Sequence, residues 1–175
     1  MKSIFVFLFL IFVSCQNYSF QNLIGSEQLE INDYQIDKFH NYLTGNFYSD
    51  ELKQKTSNNT PLIFAISKNG KSSLIISCQG IGNICNPDIY IYQSLKKYSK
   101  KLGNELYIFS IGRTIVWSNL KYNLDKFDYR NKNSLKNKIL NLPFIDFKNN
   151  SLAGSMNNSY STILLPQDNC GSDDC

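Results

Sequence analysis

Residues 62–76 read Leu62-Ile63-Phe64-Ala65-Ile66-Ser67-Lys68-Asn69-Gly70-Lys71-Ser72-Ser73-Leu74-Ile75-Ile76, and this stretch decides the fold. Two apolar runs, 62–66 and 74–76, are rich in the β-branched and aromatic residues that favour strands. Between them, Asn69-Gly70 is a pair that supplies the positive φ angles of a tight hairpin turn. The sequence therefore predicts an antiparallel hairpin whose second strand ends at Cys78.

A helix is predicted after the hairpin, with signals at both of its ends. Asn86 is the expected N-cap, and Pro87 fits the first helical position, where its missing N–H costs no hydrogen bond. Gly103 fits the left-handed residue that commonly ends a helix. Apolar residues recur along one face at helical spacing, at Ile91, Leu95, Tyr98 and Leu102.

Further strands are predicted at 105–111 and 114–117, separated by a turn or bulge at Gly112-Arg113. The central segment, 61–117, thus has the order strand, strand, helix, strand, strand. Its helix has to bury its apolar face against the sheet. We therefore expect an α+β fold of two layers, an antiparallel sheet with a helix packed on one face.

The flanking segments complete a single domain that we expect to span 31–175. A first helix is predicted at 33–44, with Asn32 as its N-cap and Gln35 as the partner that closes a capping box. Gly45 is well placed to end this helix.

Beyond Trp117 the chain is more polar, and its elements are shorter. The pattern predicts a helix at 134–140 and a strand at 144–147. A second hairpin is expected between 152–155 and 160–165.

The N-terminal residues have the pattern of an export signal. Lys2 is followed by an apolar run at 4–13, which matches the basic and hydrophobic regions of a secretory signal peptide. A helix of this length spans only about 15 Å, half of a bilayer core, so it is too short for a transmembrane span. The sequence therefore predicts export of the chain, with 1–14 as the signal peptide.

The apolar run ends in Phe12-Val13-Ser14-Cys15, which resembles the lipobox of bacterial lipoproteins, although leucine is usual where Phe12 stands. The resemblance implies that Cys15 is linked to diacylglycerol and becomes the acylated first residue, which would anchor the protein to a membrane. By analogy with Gram-negative sorting, Gln16 after the cysteine favours the outer membrane. Residues 15–30 are expected to be a polar tether. The alternative is an ordinary secretory signal, which would leave a secreted, unanchored protein.

Four further cysteines, Cys78, Cys85, Cys170 and Cys175, suit two disulfide bonds in an exported chain. The local pairing, Cys78–Cys85 with Cys170–Cys175, is favoured over one that ties the C-terminal tail to the central loop. The spacings between these cysteines differ from those of common zinc motifs, so no metal site is predicted.

Few residues point to chemistry. The single histidine, His40, lies beside the buried face of the first helix without a neighbouring nucleophile, so we predict no catalytic residue and no cofactor. Arg113 and Trp117 are the candidate binding residues, because arginine is scarce in this chain and exposed Trp and Arg are typical anchors. The competing interpretation, which we favour, places Trp117 in the core and Arg113 simply after a turn.

These observations favour a lipid-anchored cell-envelope lipoprotein that acts as a non-catalytic binding or interaction module, with the membrane and an envelope protein as partners. The net charge of +4 is too mild to indicate nucleic acid, and the pairs Lys96-Lys97 and Lys100-Lys101 fit a solvated helix face. The alternative is a carrier of small apolar ligands, with a sheet curled around a cavity. A third hypothesis, an enzyme, would need a cleft of Asp, Tyr and Lys residues.

Overall fold

The computed structural model describes residues 20–46, 60–78, 88–148 and 159–165. The strands are β1 (Leu29–Ile31), β2 (Thr60–Ile66), β3 (Ser72–Cys78), β4 (Tyr107–Ile111), β5 (Thr114–Ile115), β6 (Tyr122–Asn123), β7 (Ile145–Phe147) and β8 (Ser159–Leu165). The helices are α1 (Asp33–Thr44), α2 (Asp88–Leu102), α3 (Lys126–Arg130) and α4 (Lys132–Leu140), with 3₁₀ turns at Phe20–Leu23 and Trp117–Asn119.

The described strands form one large sheet and one small one. The large sheet has the order β6-β5-β4-β2-β3-β8, and its pairs are antiparallel except for the last. There, β8 runs parallel to β3, from Ser72 opposite Ser159 to Cys78 opposite Leu165. The small sheet is the parallel pair of β1 and β7.

Helices cover both faces of the large sheet. Along β2, Ile63 and Ala65 pack in the apolar cluster that contains the buried residues of α2. The alternate residues, Phe64 and Ile66, pack in the cluster that contains the buried residues of α1 and α4. The predicted α+β class, with a helix packed on an antiparallel sheet, is confirmed. The sequence predicted two layers, one of sheet and one of helix, and the structure adds a second layer of helices on the other face of the sheet.

The first helix has the predicted bounds. Of the two hydrogen bonds expected for a capping box at its start, only the one accepted by the Asn32 side chain is present. The side-chain oxygen of Asn32 accepts a hydrogen bond from the backbone N–H of Gln35 at 3.0 Å, and Gly45 ends the helix with φ 75°. The capping box itself is wrong. The Gln35 side chain points into the core, where its amide makes no hydrogen bond to the described residues.

The hairpin between β2 and β3 is confirmed, but its turn is wider than the tight turn expected from the Asn69-Gly70 pair. Only Gly70 has a positive φ, of 62°. Its N–H donates to the Ser67 carbonyl at 2.8 Å. Asn69 instead uses its side chain, whose oxygen accepts hydrogen bonds from the Ser67 hydroxyl and the Lys71 N–H.

Helix α2 and the strands after it largely follow the prediction. Gly103 has φ 68° after the helix, whereas the predicted cap at Asn86 and Pro87 lies outside the described residues. The predicted strand 114–117 is wrong in its second half. It stops at Ile115, because a tight turn begins at Trp117.

The tether predicted at 15–30 is wrong for residues 20–30. Residues 20–30 pack on the domain: Ile24 forms a parallel bridge with Ile108, and Leu29 in β1 is fully buried. The segment is mostly polar, so the sequence pattern does not reveal the few apolar residues that enter the core. The folded domain therefore includes residues 20–30 and does not start at residue 31.

The C-terminal elements join both sheets. The predicted helix 134–140 and strand 144–147 are confirmed as α4 and β7. The strand predicted at 160–165 is also present, as β8 on the edge of the large sheet. Its expected hairpin partner, 152–155, lies outside the described residues.

Candidate functional site

Trp117, one of the two candidate binding residues, is part of the core. It is fully buried, and its indole N–H donates to the carbonyl oxygen of Glu27 at 2.9 Å. Its ring stacks with Phe144 at a centroid distance of 6.4 Å and lies tilted against Phe109 at 6.2 Å. The idea of Trp117 as an exposed anchor is therefore wrong, since a binding partner could not reach its ring.

Arg113, the second candidate, is exposed but already has a partner. Its guanidinium lies over the ring of Tyr129 at 4.7 Å from the centroid, an interaction for which arginine is better suited than lysine. Beside it, the Tyr42 hydroxyl donates to the Gly112 carbonyl at 2.9 Å, and burial raises the pKa of Tyr42. Arg113 thus links the turn after β4 to α3, whereas Trp117 contacts the N-terminal segment.

His40 is a half-buried residue of α1 and faces the end of α3. Its Nε2 atom is 3.4 Å from the carbonyl oxygen of Arg130, which joins the two helices. The described residues contain no group of three or more His, Cys, Asp or Glu that could hold a metal ion.

A buried carboxylate that sequence reasoning missed lies close to these helices. Asp128 is 4% exposed, and its Oδ1 atom accepts a hydrogen bond from the Ser134 hydroxyl at 3.1 Å. The ammonium of Lys138 is 3.7 Å from the other oxygen, and a hydrogen bond with Tyr122 raises the pKa of Lys138. These contacts tie α3 to α4 and to β6.

Of the cysteines, only the backbone of Cys78 lies in the described part of the chain. It is the last residue of β3, opposite Leu165 of β8 and Thr60 of β2. Cys15, Cys85, Cys170 and Cys175 lie outside the described residues, so the lipidation and the disulfides remain predictions.

The outer side of α2 carries a cluster of positive charge, and we call it the basic face. It consists of four exposed lysines, Lys96, Lys97, Lys100 and Lys101. At about 100° per residue these positions cover about 140° of the helix circumference, opposite the apolar side. Two of the ammonium groups flank the ring of Tyr98: Lys101 at 5.3 Å and Lys97 at 6.0 Å from the centroid.

Several lysines of the opposite helical layer pair with acidic residues, whereas those of the basic face have no such partner in the described part of the chain. Ion pairs join Lys132 to Asp37 at 2.5 Å and Lys136 to Asp33 at 2.6 Å. The lysines of α2 form no ion pair with a carboxylate among the described residues. Among the described residues, positive charge is therefore left uncompensated on the α2 side of the sheet.

The N-terminal segment reaches the domain on the same side as α2. Leu23 and Ile24 pack against the apolar cluster that contains Ile91 and Leu95 of α2. The chain then crosses to the other side near Gly25, so that Leu29 lies in the cluster under α1. Whatever precedes residue 20 is thus attached on the side of the basic face.

No family model, curated protein or solved structure matches the chain. Within the described ranges, no helix is both long enough and apolar enough to cross a membrane.

Proposed function

We propose that this chain is a lipid-anchored lipoprotein of the cell envelope, whose folded domain is a non-catalytic binding or interaction module. The proposal is carried by the resemblance of Phe12-Val13-Ser14-Cys15 to a lipobox, placed at the end of an export signal. If the source is Gram-negative, Gln16 favours the outer membrane. The folded domain, which includes residues 20–30, is the part of the protein that such an anchor would hold at the membrane.

The packing of the sheet favours the interaction module over the carrier of small apolar ligands. A carrier needs a cavity, most simply inside a curled sheet. Here the two faces of β2 are occupied by side chains from helices, with Phe64 against Phe39 on one side and Ile63 in the cluster of α2 on the other. The exposed, uncompensated lysines of α2 offer a surface for a partner.

The intact mass of the membrane-extracted protein tests this proposal. We expect a mass that begins at Cys15 and includes acyl groups. A matched variant, Cys15→Ser, should keep the signal peptide and lose the lipid, because the acylated thiol is what the resemblance requires. A wild-type mass without lipid would contradict the anchor and favour the alternative of a secreted, unanchored protein.

The same sample tests the disulfides. Four cysteines that react with an alkylating reagent only after reduction would support two disulfides. Alkylation without prior reduction would contradict them.

A thermal-shift screen separates the interaction module from the carrier. A ligand that binds only the folded state raises the melting temperature, so a carrier should respond to small apolar molecules. We expect no such shift, and a clear one would favour the carrier instead.

A further inference from the structure

We infer that the basic face of α2 is the membrane-facing surface of the domain, and that it docks on the anionic phospholipid headgroups of the bilayer that holds the anchor. This inference rests on the proposed anchor at Cys15. Three independent observations carry it: the length of the link to the anchor, the side on which that link attaches, and the charge of that side.

The link between anchor and domain is short. Because residues 20–30 are packed on the domain, only 16–19 separate Cys15 from the 3₁₀ turn at Phe20–Leu23. A fully extended chain advances at most about 3.5 Å per residue, so Cys15 lies within about 17 Å of residue 20. A tether over the whole of 15–30 would have reached about three times as far and would have left the orientation free.

The side of attachment selects α2. A helix layer is about 10 Å thick, so a reach of about 17 Å suffices to bring the outer side of α2 to the level of the anchor. The opposite surface, formed by α1 and α4, is separated from the entry point by the sheet and a helix layer. These amount to about 20 Å or more, which exceeds the reach.

The charge of the selected side matches an anionic bilayer. Clusters of lysines beside a membrane are attracted by acidic headgroups. The basic face presents Lys96, Lys97, Lys100 and Lys101 without acidic partners among the described residues. The ring of Tyr98 lies beside two of them, and tyrosine suits the interface between headgroups and water. On the α1 side, Asp33 and Asp37 neutralise lysines, so this side has less positive charge with which to attract acidic headgroups.

Lysine labelling on vesicles tests the docking. The acylated full-length mature protein is inserted into phosphatidylcholine vesicles with or without phosphatidylglycerol, and the labelling rate of each lysine by an amine-reactive ester is read by mass spectrometry. We expect the four lysines of the basic face to label about fivefold more slowly on the anionic vesicles. Lys126, exposed on α3 on the other side of the sheet, is the internal control and should label equally on both.

Salt provides a second arm. At about 1 M salt the Debye length falls to about 3 Å, so the protection of the basic face should disappear if it is electrostatic. Protection that persists unchanged at this salt concentration would overturn docking on charged headgroups.

A variant provides the third arm. Energy transfer from Trp117 to dansyl-labelled headgroups should fall when Lys96, Lys97, Lys100 and Lys101 are all changed to Gln. It should stay unchanged in Lys126→Gln, which removes a lysine outside the basic face. Equal transfer in the two variants would overturn the inference.

The outcomes separate failure of the inference from failure of the anchor. A mass without acyl groups removes the proposed function and the inference together. An acylated protein whose basic face labels equally on both vesicle types overturns the inference alone. Protection in native envelope fragments, without protection on protein-free anionic vesicles, would overturn it in favour of an acidic protein partner.

Discussion

The ring of Trp117 fills the space in which any side chain on Gly25 would have to lie. A β-carbon built on Gly25 falls 2.0 Å from Cζ3 of the indole. The backbone on each side is held as well: the N–H of Gly25 donates to Ile108, and its carbonyl accepts from Ser118 at 2.7 Å. These contacts hold the N-terminal segment against the sheet and against Trp117.

Gly25→Ala is therefore expected to destabilise the domain by about 3 kcal/mol, because neither the ring nor the backbone can move away without losing contacts. Urea unfolding measures the loss. In a Trp117→Leu background, which removes the ring, adding Gly25→Ala should cost less than about 1 kcal/mol. Equal costs in the two backgrounds would show that the contact does not matter.

Trp117 is the only tryptophan, so its fluorescence reports its surroundings directly. Because it is fully buried, we expect blue-shifted emission and weak quenching by acrylamide in the folded protein. Unfolding should shift the emission to the red. Emission already red-shifted in the folded state would contradict the core position and restore Trp117 as a binding residue.

Two left-handed glycines form a matched pair. Gly70 and Gly103 have φ of 62° and 68°, so alanine at either position carries the penalty of that conformation, about 1 kcal/mol. Only at Gly70 would the new β-carbon also meet backbone, 2.3 Å from the carbonyl oxygen of Glu30, whereas nothing lies within 4 Å at Gly103. We expect Gly70→Ala to cost about 2 kcal/mol more than Gly103→Ala in urea unfolding.

The hydrogen bond from Ser134 to the buried carboxylate of Asp128 should be worth more than an exposed one. Ser134→Ala is expected to cost about 2 kcal/mol, because it leaves a buried charge with one donor fewer. Thr114→Val, which removes an exposed hydrogen bond to Asn123, should cost less than about 1 kcal/mol. Similar losses of unfolding free energy in the two variants would contradict this role of Asp128.

Stability should fall at alkaline pH. A hydrogen bond to Glu105 raises the pKa of Tyr107 from 10.0 to about 12. The folded state holds this proton more tightly, so the contribution is complete below pH 10 and is lost as the pH rises towards 12. Tyr107→Phe and Glu105→Gln should each reduce the slope of the urea midpoint in this range. An unchanged slope in both variants would contradict the coupling.

Local signals in the sequence were reliable guides to the helices. Asn32 and Gly45 bracket α1 because a cap depends only on residues within one turn, and Gly103 ends α2 for the same reason. The Asn69-Gly70 pair predicted the position of the hairpin but not its type of turn. The Asn69 side chain accepts hydrogen bonds within the turn, a role that the residue pair alone does not reveal.

The second helical layer does have a signal in the sequence, which lies in the central strand. Residues 62–66 are apolar without alternation, which is typical of a strand buried on both faces. A sheet with one helix on one face would have left Phe64 and Ile66 in water.

Pairings between distant segments could not be predicted, because they depend on contacts that no local pattern records. Strand β1 has three residues and pairs with β7, so the packed N-terminal segment had no recognisable signal. The basic face shows the same limit. The lysines of α2 are visible in the sequence. The lack of acidic partners among the described residues, and the side of the sheet on which Leu23 and Ile24 pack, are properties of the fold.

The parallel pairing of β8 with β3 also has a consequence for how the chain folds. Ser72 and Ser159 are partners although they lie roughly ninety residues apart, a contact of high sequence separation that slows folding. A chain that is delivered N-terminus first, from a ribosome or through a membrane pore, presents the edge of β3 long before its last strand arrives. That edge is a template for pairing with other chains until β8 covers it. The edge of β3 thus depends on β8 for its cover, and a holdase that shields β3 in the interval would protect it from pairing with other chains.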